Sequence, residues 1–189
     1  MNRSLRPIGV IAALSMWMWF ALGSGLAFAA DDDDDEADYA RPGVYVGMNG
    51  VVALNVNRRG PENLLAPGGG INVRFGSRES ERLSWEIEME WVDAPKWNQN
   101  NLTFGINGKF YFTEKRWQPY AVFGAGSKTV FRGGPAPNNT DWGFRMGGGI
   151  DYYLTKHWAL NSENVYVVGV GGELRLEYAS FSLGAIYRF

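Results

Sequence analysis

Three glutamates, Glu86, Glu88 and Glu90, alternate with apolar residues, which places their carboxylates in a row on one face of a β-strand. Such a row could conduct cations or relay protons, or it could form one half of a network of buried ion pairs. Other segments with the same alternation also carry acidic and basic residues at the positions opposite to their apolar face. The whole candidate set is Arg74, Glu86, Glu88, Glu90, Lys109, Arg145, Asp151, Glu163 and Arg188.

One further pattern superficially resembles a nucleotide site. Residues Gly124–Thr129 read GAGSKT, but Ser127 stands where a phosphate-binding loop requires glycine before the lysine, and a strand pattern follows instead of a helix. The chain contains no cysteine, which excludes thiol nucleophiles and cysteine-ligated zinc. The run of aspartates from Asp31 to Asp35 lacks the spacing and the glycine turn of an EF-hand loop. We therefore predict no cofactor, no metal site and no nucleic-acid partner.

The segments that carry the candidate charges alternate apolar and polar residues with a period of two, as β-strands with two different faces do. From Leu83 to Trp91 the odd positions are apolar and the even positions are polar. Ser162 and Asn164 break the pattern, because they share the parity of Trp158 and Leu160, so we expect a bulge or an early exit from a membrane there. The predicted strands are 44–56, 68–77, 82–92, 101–113, 118–131, 141–154, 157–168 and 175–189.

The direction of the apolar faces decides the class of protein. A soluble exported β-sandwich or a lipocalin-like binder would bury them, whereas a membrane barrel turns them towards lipid. Aromatic residues gather near both sets of strand ends, as in the interfacial girdles of membrane proteins: Trp85, Trp117, Trp158 and Tyr187 at one, and Trp91, Phe131 and Trp142 at the other. We predict an all-β fold, an eight-stranded antiparallel up-and-down transmembrane β-barrel.

The N-terminal region has the parts of an export signal. Arg3 and Arg6 precede an apolar run, and Ala27-Phe28-Ala29 forms a small-x-small cleavage site. Seven of the 20 acidic residues lie between Asp31 and Asp38, a density that predicts a solvated, disordered segment. The expected organisation is a cleaved signal peptide over 1–29, an acidic lead-in over 30–42 and the barrel domain over 43–189.

The connections between strands alternate in length, which orients the barrel. Those around Glu79, Lys115 and Lys156 are short, while those at 57–67, 93–100, 133–140 and 169–173 are longer. Short turns face the periplasm in outer-membrane barrels and longer loops face outward. We therefore predict the bacterial outer membrane as the location, with both chain termini in the periplasm.

Three stretches resemble the small outer-membrane barrels of the OmpA transmembrane-domain, OmpX, OmpW and opacity-protein type. They are PYAVFGAGS from Pro119, GFRMGGGIDYYLTKHWAL from Gly143, and the final alternating residues. The last stretch is similar to the signal that these proteins present to the barrel-assembly machinery. It comprises Phe181, Leu183, Ala185, Tyr187 and Phe189.

The resemblance implies a place in the membrane and no shared catalytic set, so the function must come from other features. In so narrow a barrel the nine candidate charges are expected to pair across a filled lumen, which favours a structural or surface-interaction role. Two alternatives remain: a narrow channel for ions or small solutes past Glu86 to Glu90, and an adhesin or recognition protein acting through its loops. The oligomeric state is left open by the sequence.

Two further expectations follow from the membrane location. The partners are outer-membrane lipid and lipopolysaccharide, whose phosphates the loop cations Arg58, Arg59, Lys96, Arg132 and Arg175 could bind. His157, the chain's one histidine, falls in a predicted periplasmic turn, away from outer-leaflet lipid and with no serine placed beside it. We therefore predict that the protein is not an enzyme.

Overall fold

The computed structural model describes residues 38–55, 67–94, 99–132, 139–170 and 177–189, so the predicted signal peptide and most of the acidic segment lie outside it. Within these ranges no helix is long and apolar enough to cross a membrane. Each strand is hydrogen-bonded to the next in sequence order. The strands are β1 (Gly43–Asn55), β2 (Pro67–Arg78), β3 (Leu83–Ala94), β4 (Gln99–Tyr111), β5 (Trp117–Arg132), β6 (Asn139–Tyr153), β7 (Trp158–Val170) and β8 (Tyr178–Arg188).

The sheet closes on itself, because β1 pairs with β8 as well as with β2. This seam runs antiparallel from Tyr45 opposite Arg188 to Asn55 opposite Tyr178. The main-chain NH of Phe189 continues the seam by donating to the carbonyl oxygen of Val44 at 3.1 Å. The predicted fold class, a closed up-and-down barrel of eight antiparallel strands, is thus confirmed.

The register fixes the stagger of the strands, which sets the width of a barrel together with the strand number. When the paired residues are followed around the barrel from Tyr45, the path returns to β1 at Asn55, ten residues further along. The residues passed on the way are Gly76, Glu86, Asn107, Gly124, Arg145, Val167 and Tyr178. The strands are therefore tilted against the barrel axis, so residues at one depth are not hydrogen-bonded partners.

The apolar face of each strand points outward and the polar face points into the lumen. On β3, Trp85, Ile87 and Met89 are exposed while Glu86 and Glu88 are buried. This arrangement is the reverse of a soluble β-sandwich and is that of a barrel whose outer wall contacts lipid.

Aromatic side chains surround both ends of the apolar outer wall. At the end that carries residues 79–82, 112–116 and 154–157, here called the turn end, the rings of Trp158 and Tyr187 lie 5.0 Å apart. At the opposite end, here called the loop end, the rings of Trp91 and Phe131 lie 5.9 Å apart. The two aromatic girdles thus mark the borders of the apolar wall.

Two local expectations differ from the structure. The pairing of β7 with β6 and β8 runs without a bulge, so Ser162 and Asn164 stay on the outer wall between apolar neighbours. The predicted longer loop over 93–100 is also wrong, because β3 continues to Ala94 and β4 starts at Gln99. Continuous cross-strand hydrogen bonding outweighs the side-chain pattern at both places.

The end of the acidic lead-in also differs from its prediction as a solvated segment. Tyr39 and Ala40 are buried, and they belong to the same compact unit as the barrel, which begins at Asp38. Tyr39 lies at the turn end, where its ring packs 5.6 Å from the ring of Tyr153. The segment before β1 therefore covers part of the turn-end opening of the lumen.

Two glycines allow β4 and β5 to approach closely, since Gly105 pairs with Gly126. A Cβ added at Gly126 would fall on the main-chain carbonyl of Phe104, whereas a Cβ at Gly69 on β2 would meet nothing within 4 Å.

We predict that Gly126→Ala lowers the free energy of unfolding by about 1–3 kcal/mol, because the backbone must shift. Gly69→Ala is the control and should change it by less than about 0.5 kcal/mol.

The measurement is urea unfolding of the refolded barrel in lipid vesicles, followed by tryptophan fluorescence. An equal loss in the two variants would contradict the close approach of β4 and β5.

Candidate functional site

All nine charged residues singled out from the sequence point into the lumen. Each is between 0 % and 6 % exposed, so the lumen holds them away from solvent. Alternation places them there, because in each strand they occupy the positions opposite to the lipid-facing apolar residues. They come from β2, β3, β4, β6, β7 and β8, so the closed sheet is what brings them together.

Glu163 is the centre of the network. Its Oε2 lies 3.0 Å from Arg74 Nη1 and accepts a hydrogen bond of 2.9 Å from the hydroxyl of Tyr120. Its Oε1 accepts from Arg145 Nη2 at 3.0 Å, and Lys109 Nζ lies 3.7 Å from its Oε2. One carboxylate on β7 is thus surrounded by cations from β2, β4 and β6.

Glu86 and Glu88 complete the charge balance around the same cations. Lys109 Nζ lies 3.0 Å from Glu86 Oε2, and Arg145 forms an ion pair with Glu88. Asn107 Nδ2 donates to Glu86 Oε1 at 3.3 Å and to Glu88 Oε2 at 2.9 Å. Three carboxylates and three cations therefore form one connected cluster, here called the central network: Arg74, Glu86, Glu88, Lys109, Arg145 and Glu163.

Glu90 and Asp151 do not join an ion pair with any described residue; neutral donors hold them instead. Glu90 Oε1 accepts a hydrogen bond of 2.7 Å from the hydroxyl of Tyr178. Asp151 accepts from Tyr111 at 3.1 Å and from Asn161 Nδ2 at 2.6 Å. The sequence-based grouping of all nine charges into one network is therefore too broad, and the three glutamates of β3 have different surroundings.

Arg188 lies apart from the central network, at the turn end. Its Nη1 donates to the carbonyl oxygen of Tyr39 at 2.6 Å, and Gln118 Nε2 donates to the same oxygen at 3.1 Å. Arg78 reaches Gln118 Oε1 at 2.6 Å and stacks over the ring of Tyr111, with its Cζ 4.1 Å from the ring centroid. These contacts form a second layer of buried side chains, on the turn-end side of the central network.

A third, more apolar layer lies in the loop-end halves of the strands. Buried side chains there include Val51 and Ala53 on β1, Val92 on β3, and Val165 and Val167 on β7. The sequence reasoning did not select this layer, since it considered charged residues only. It also missed Lys128, whose Nζ lies 4.3 Å from the ring centroid of Tyr178.

The inward tyrosines were likewise missed, although parity alone could have found them. Four of their hydroxyls donate to carboxylates of the lumen, as Tyr45 does to Glu86 at 3.1 Å, while the hydroxyl of Tyr153 accepts from Arg188 Nη1 at 3.4 Å. Tyr187 was the one tyrosine interpreted as a girdle residue, and five other tyrosines share the parity of the buried charges on their own strands: Tyr45, Tyr111, Tyr120, Tyr153 and Tyr178.

The remaining candidate residues lie outside the lumen. Phe181, Leu183, Ala185 and Tyr187 are on the outer face of β8, and the ring of Phe189 packs 5.2 Å from that of Tyr187. Their role in assembly stays a prediction. The cations Arg58, Arg59, Lys96 and Arg175 and the side chain of Arg132 lie outside the described residues, so loop-mediated binding also stays a prediction.

His157 lies in the turn between β6 and β7. Its Nδ1 is 2.9 Å from the carbonyl oxygen of Arg188, and its ring stacks on that of Tyr187 with centroids 6.0 Å apart. No serine among the described residues bonds to this ring. Nor do these residues contain a group of three His, Asp or Glu side chains placed to hold a metal ion.

The arrangement suits stabilisation of the fold better than proton or ion transfer. Ions cross a membrane through a hydrated lumen, whereas here arginine and lysine side chains occupy the space between the carboxylates. The bonds of the central network join strands that are not neighbours, such as β2 and β7 through Arg74 and Glu163. The network therefore links the walls of the barrel across the lumen through its ion pairs.

We predict that Glu163→Gln lowers the free energy of unfolding by about 3–5 kcal/mol, because it leaves buried cations without their shared counter-charge. Glu114→Gln is the matched control. It removes one carboxylate from an ion pair with Arg82 that is 3.0 Å long and about half exposed. That loss should stay below about 1 kcal/mol.

Urea unfolding in vesicles measures both variants. A loss at Glu163 no greater than that at Glu114 would show that the central network does not stabilise the barrel.

Comparison with known proteins agrees with this architecture. The family model described as "Outer membrane protein beta-barrel domain" matches residues 12–189. A search of curated proteins found no match. The fold is similar to the crystal structure of Neisserial surface protein A, NspA, with a TM-score of 0.63 and 19% identity over 77% of this chain and 97% of that one.

Two further solved barrels share the architecture. The N-terminal β-barrel domain of Pseudomonas aeruginosa OprF has a TM-score of 0.58 and 12% identity, covering 79% of this chain and 100% of that one. The outer membrane enzyme PagL has a TM-score of 0.47 and 12% identity, covering 76% and 99%, a likeness too low to carry an argument about activity. Because the family model covers the whole barrel and most of the segment before it, this chain belongs to the outer-membrane protein β-barrel domain family.

Proposed function

We propose that this outer-membrane barrel is closed to solutes and acts as a structural scaffold that makes its interactions at its surfaces. The observation that carries the proposal is the central network around Glu163. Its members are almost fully buried, and their ion pairs cross the lumen between non-neighbouring strands. An ion could pass only by breaking several of these bonds at once.

The layers above and below the central network support the same function. Towards the loop end, buried valines lie among larger side chains that contact one another, such as Lys128, whose Nζ is 4.3 Å from the ring centroid of Tyr178. Towards the turn end, Tyr39 lies against Arg188, Gln118 and Tyr153. The lumen is thus occupied by three successive layers of different chemistry.

We predict that the refolded, mature protein gives no discrete conductance steps in a planar bilayer. The paired substitution Arg74→Ala with Glu163→Ala should produce small steps, because it removes two long side chains that bridge non-neighbouring strands while keeping the charge balance. Single-channel recording measures both proteins, and a gel shift on heating confirms that each is folded.

The channel hypothesis makes the opposite prediction. Cation-selective steps from the unaltered protein that disappear when Glu86, Glu88 and Glu90 are all replaced by Gln would overturn the closed-lumen function. Silence of the unaltered protein together with steps from the double variant would support it.

We further infer that the turn end faces the periplasm and the loop end faces outward. The support is that the turn-end connections, 79–82, 112–116 and 154–157, have at most five residues, whereas three of the four loop-end connections are longer. Outer-membrane barrels have short periplasmic turns and longer outer loops. In this orientation both chain ends are periplasmic, lipopolysaccharide lies around the loop end, and the outer face of β8 is the segment that the barrel-assembly machinery contacts.

The orientation is testable because the chain has no cysteine of its own. We predict that Thr140→Cys, at the loop end, reacts with a membrane-impermeant maleimide in intact cells. Ser80→Cys, in the turn between β2 and β3, should react only after the outer membrane has been disrupted. The reverse pattern of labelling would show that the barrel is inserted the other way round.

A further inference from the structure

Asn164 is a polar side chain on the lipid-facing wall, at mid-depth. It lies on β7, six residues from Trp158 of the turn-end girdle and six from Val170, which pairs with Trp142 of the loop-end girdle. Burial alternates along β7, and Asn164 occupies one of the outward positions. Ser162, two residues earlier, lies on the same face. On β7 the centre of the apolar wall is therefore interrupted by an amide and a hydroxyl.

Nothing in the described part of the chain forms a hydrogen bond with the side chain of Asn164 or Ser162. The outward neighbours of Asn164 across the sheet are Gly148 on β6 and Phe181 on β8, and neither has a side chain that can donate or accept. In hydrocarbon an unpaired amide is costly, because no water is present to replace the missing bonds. The exposed amide thus requires a partner from outside this chain.

The residues beside Asn164 on the outer wall have small side chains or none, so the backbone of another protein can approach the barrel closely there. Gly148 has no side chain, and the next residue in the same row is Ala121 on β5. Larger side chains, Phe123 and Met146, stand one step nearer the loop end. The amide therefore lies at the edge of a shallow depression in the outer wall.

We propose that this depression is a docking surface for a second copy of the same barrel, with the Asn164 carboxamides of the two copies hydrogen-bonded to each other. Copies of one membrane protein insert in the same direction, so a two-fold axis that relates them must run along the membrane normal. Such an axis preserves depth, and each Asn164 meets its own counterpart.

A carboxamide is self-complementary, because it carries a donor NH2 and an acceptor oxygen. Two facing Asn164 side chains can therefore satisfy each other through reciprocal bonds. A lipid chain offers neither group at this depth, and the polar head groups lie at the girdles. A second copy is the occupant that presents the required chemistry at the required depth.

The test uses the cysteine-free chain in native outer membranes. Ser162→Cys is treated with a short, membrane-permeable bis-maleimide, alone and combined with Asn164→Leu. Met89→Cys is the matched control, since it faces lipid between Trp85 and Trp91 on β3, four strands away around the barrel. Heat-dependent gel migration verifies that every variant is folded.

The expected result is a cross-linked species of twice the protomer mass for Ser162→Cys and none for Met89→Cys. Asn164→Leu should weaken the association about tenfold, because two hydrogen bonds inside the membrane are lost. Asn164→Gln, which keeps the amide, should retain cross-linking.

Equal yields at Ser162 and Met89, or a yield unaffected by Asn164→Leu, would overturn the proposal. A cross-linked species whose mass is not twice that of the protomer would show that a different protein occupies the surface, and would also overturn it.

Discussion

Enclosure of polar side chains in a narrow, closed sheet is the constraint on which the rest of this structure depends. Closing the sheet removes its edges, but it also places every second residue of every strand inside a space too small for bulk water. A carboxylate such as Glu163 is tolerable there only with cations and donors around it. The composition of the lumen therefore reflects the need of each buried charge for partners of opposite charge or for hydrogen-bond donors.

The same constraint explains why the lumen is layered. Long cations reach across the middle of the barrel, so bulky neighbours there are excluded, and small residues such as Gly105 and Gly147 occupy inward positions beside them. Asparagines and tyrosines provide the remaining donors, such as Asn107 to Glu86 and Glu88, and Tyr178 to Glu90. In the loop-end half, buried valines reduce the number of polar groups that need partners, and the remaining ones pair locally, as Tyr178 does with Glu90.

Alternation made most of the fold predictable. Eight strands, their inward and outward faces and the two aromatic girdles follow from a period of two, and nine of the eleven buried charges among the described residues were chosen from it; Arg78 and Lys128 were not. Which charge meets which partner could not be predicted, because the stagger that brings Arg74 of β2 to Glu163 of β7 is a property of closure. The burial of Tyr39 could not be predicted for another reason. Tyr39 follows an acidic run whose composition predicts a solvated chain, and the site that buries it forms only when the strands meet at the turn end.

The burial of Tyr39 has a consequence for the order of folding. Its carbonyl oxygen is held by Arg188, 149 residues later in the chain, and by Gln118, 79 residues later. Arg188 reaches this carbonyl oxygen only after β8 has paired with β1. The contacts of Tyr39 therefore form last. Contacts formed after the rate-limiting step leave the folding rate unchanged and slow the reverse reaction. The residues just before β1 thus stabilise the finished seam and extend the lifetime of the closed barrel.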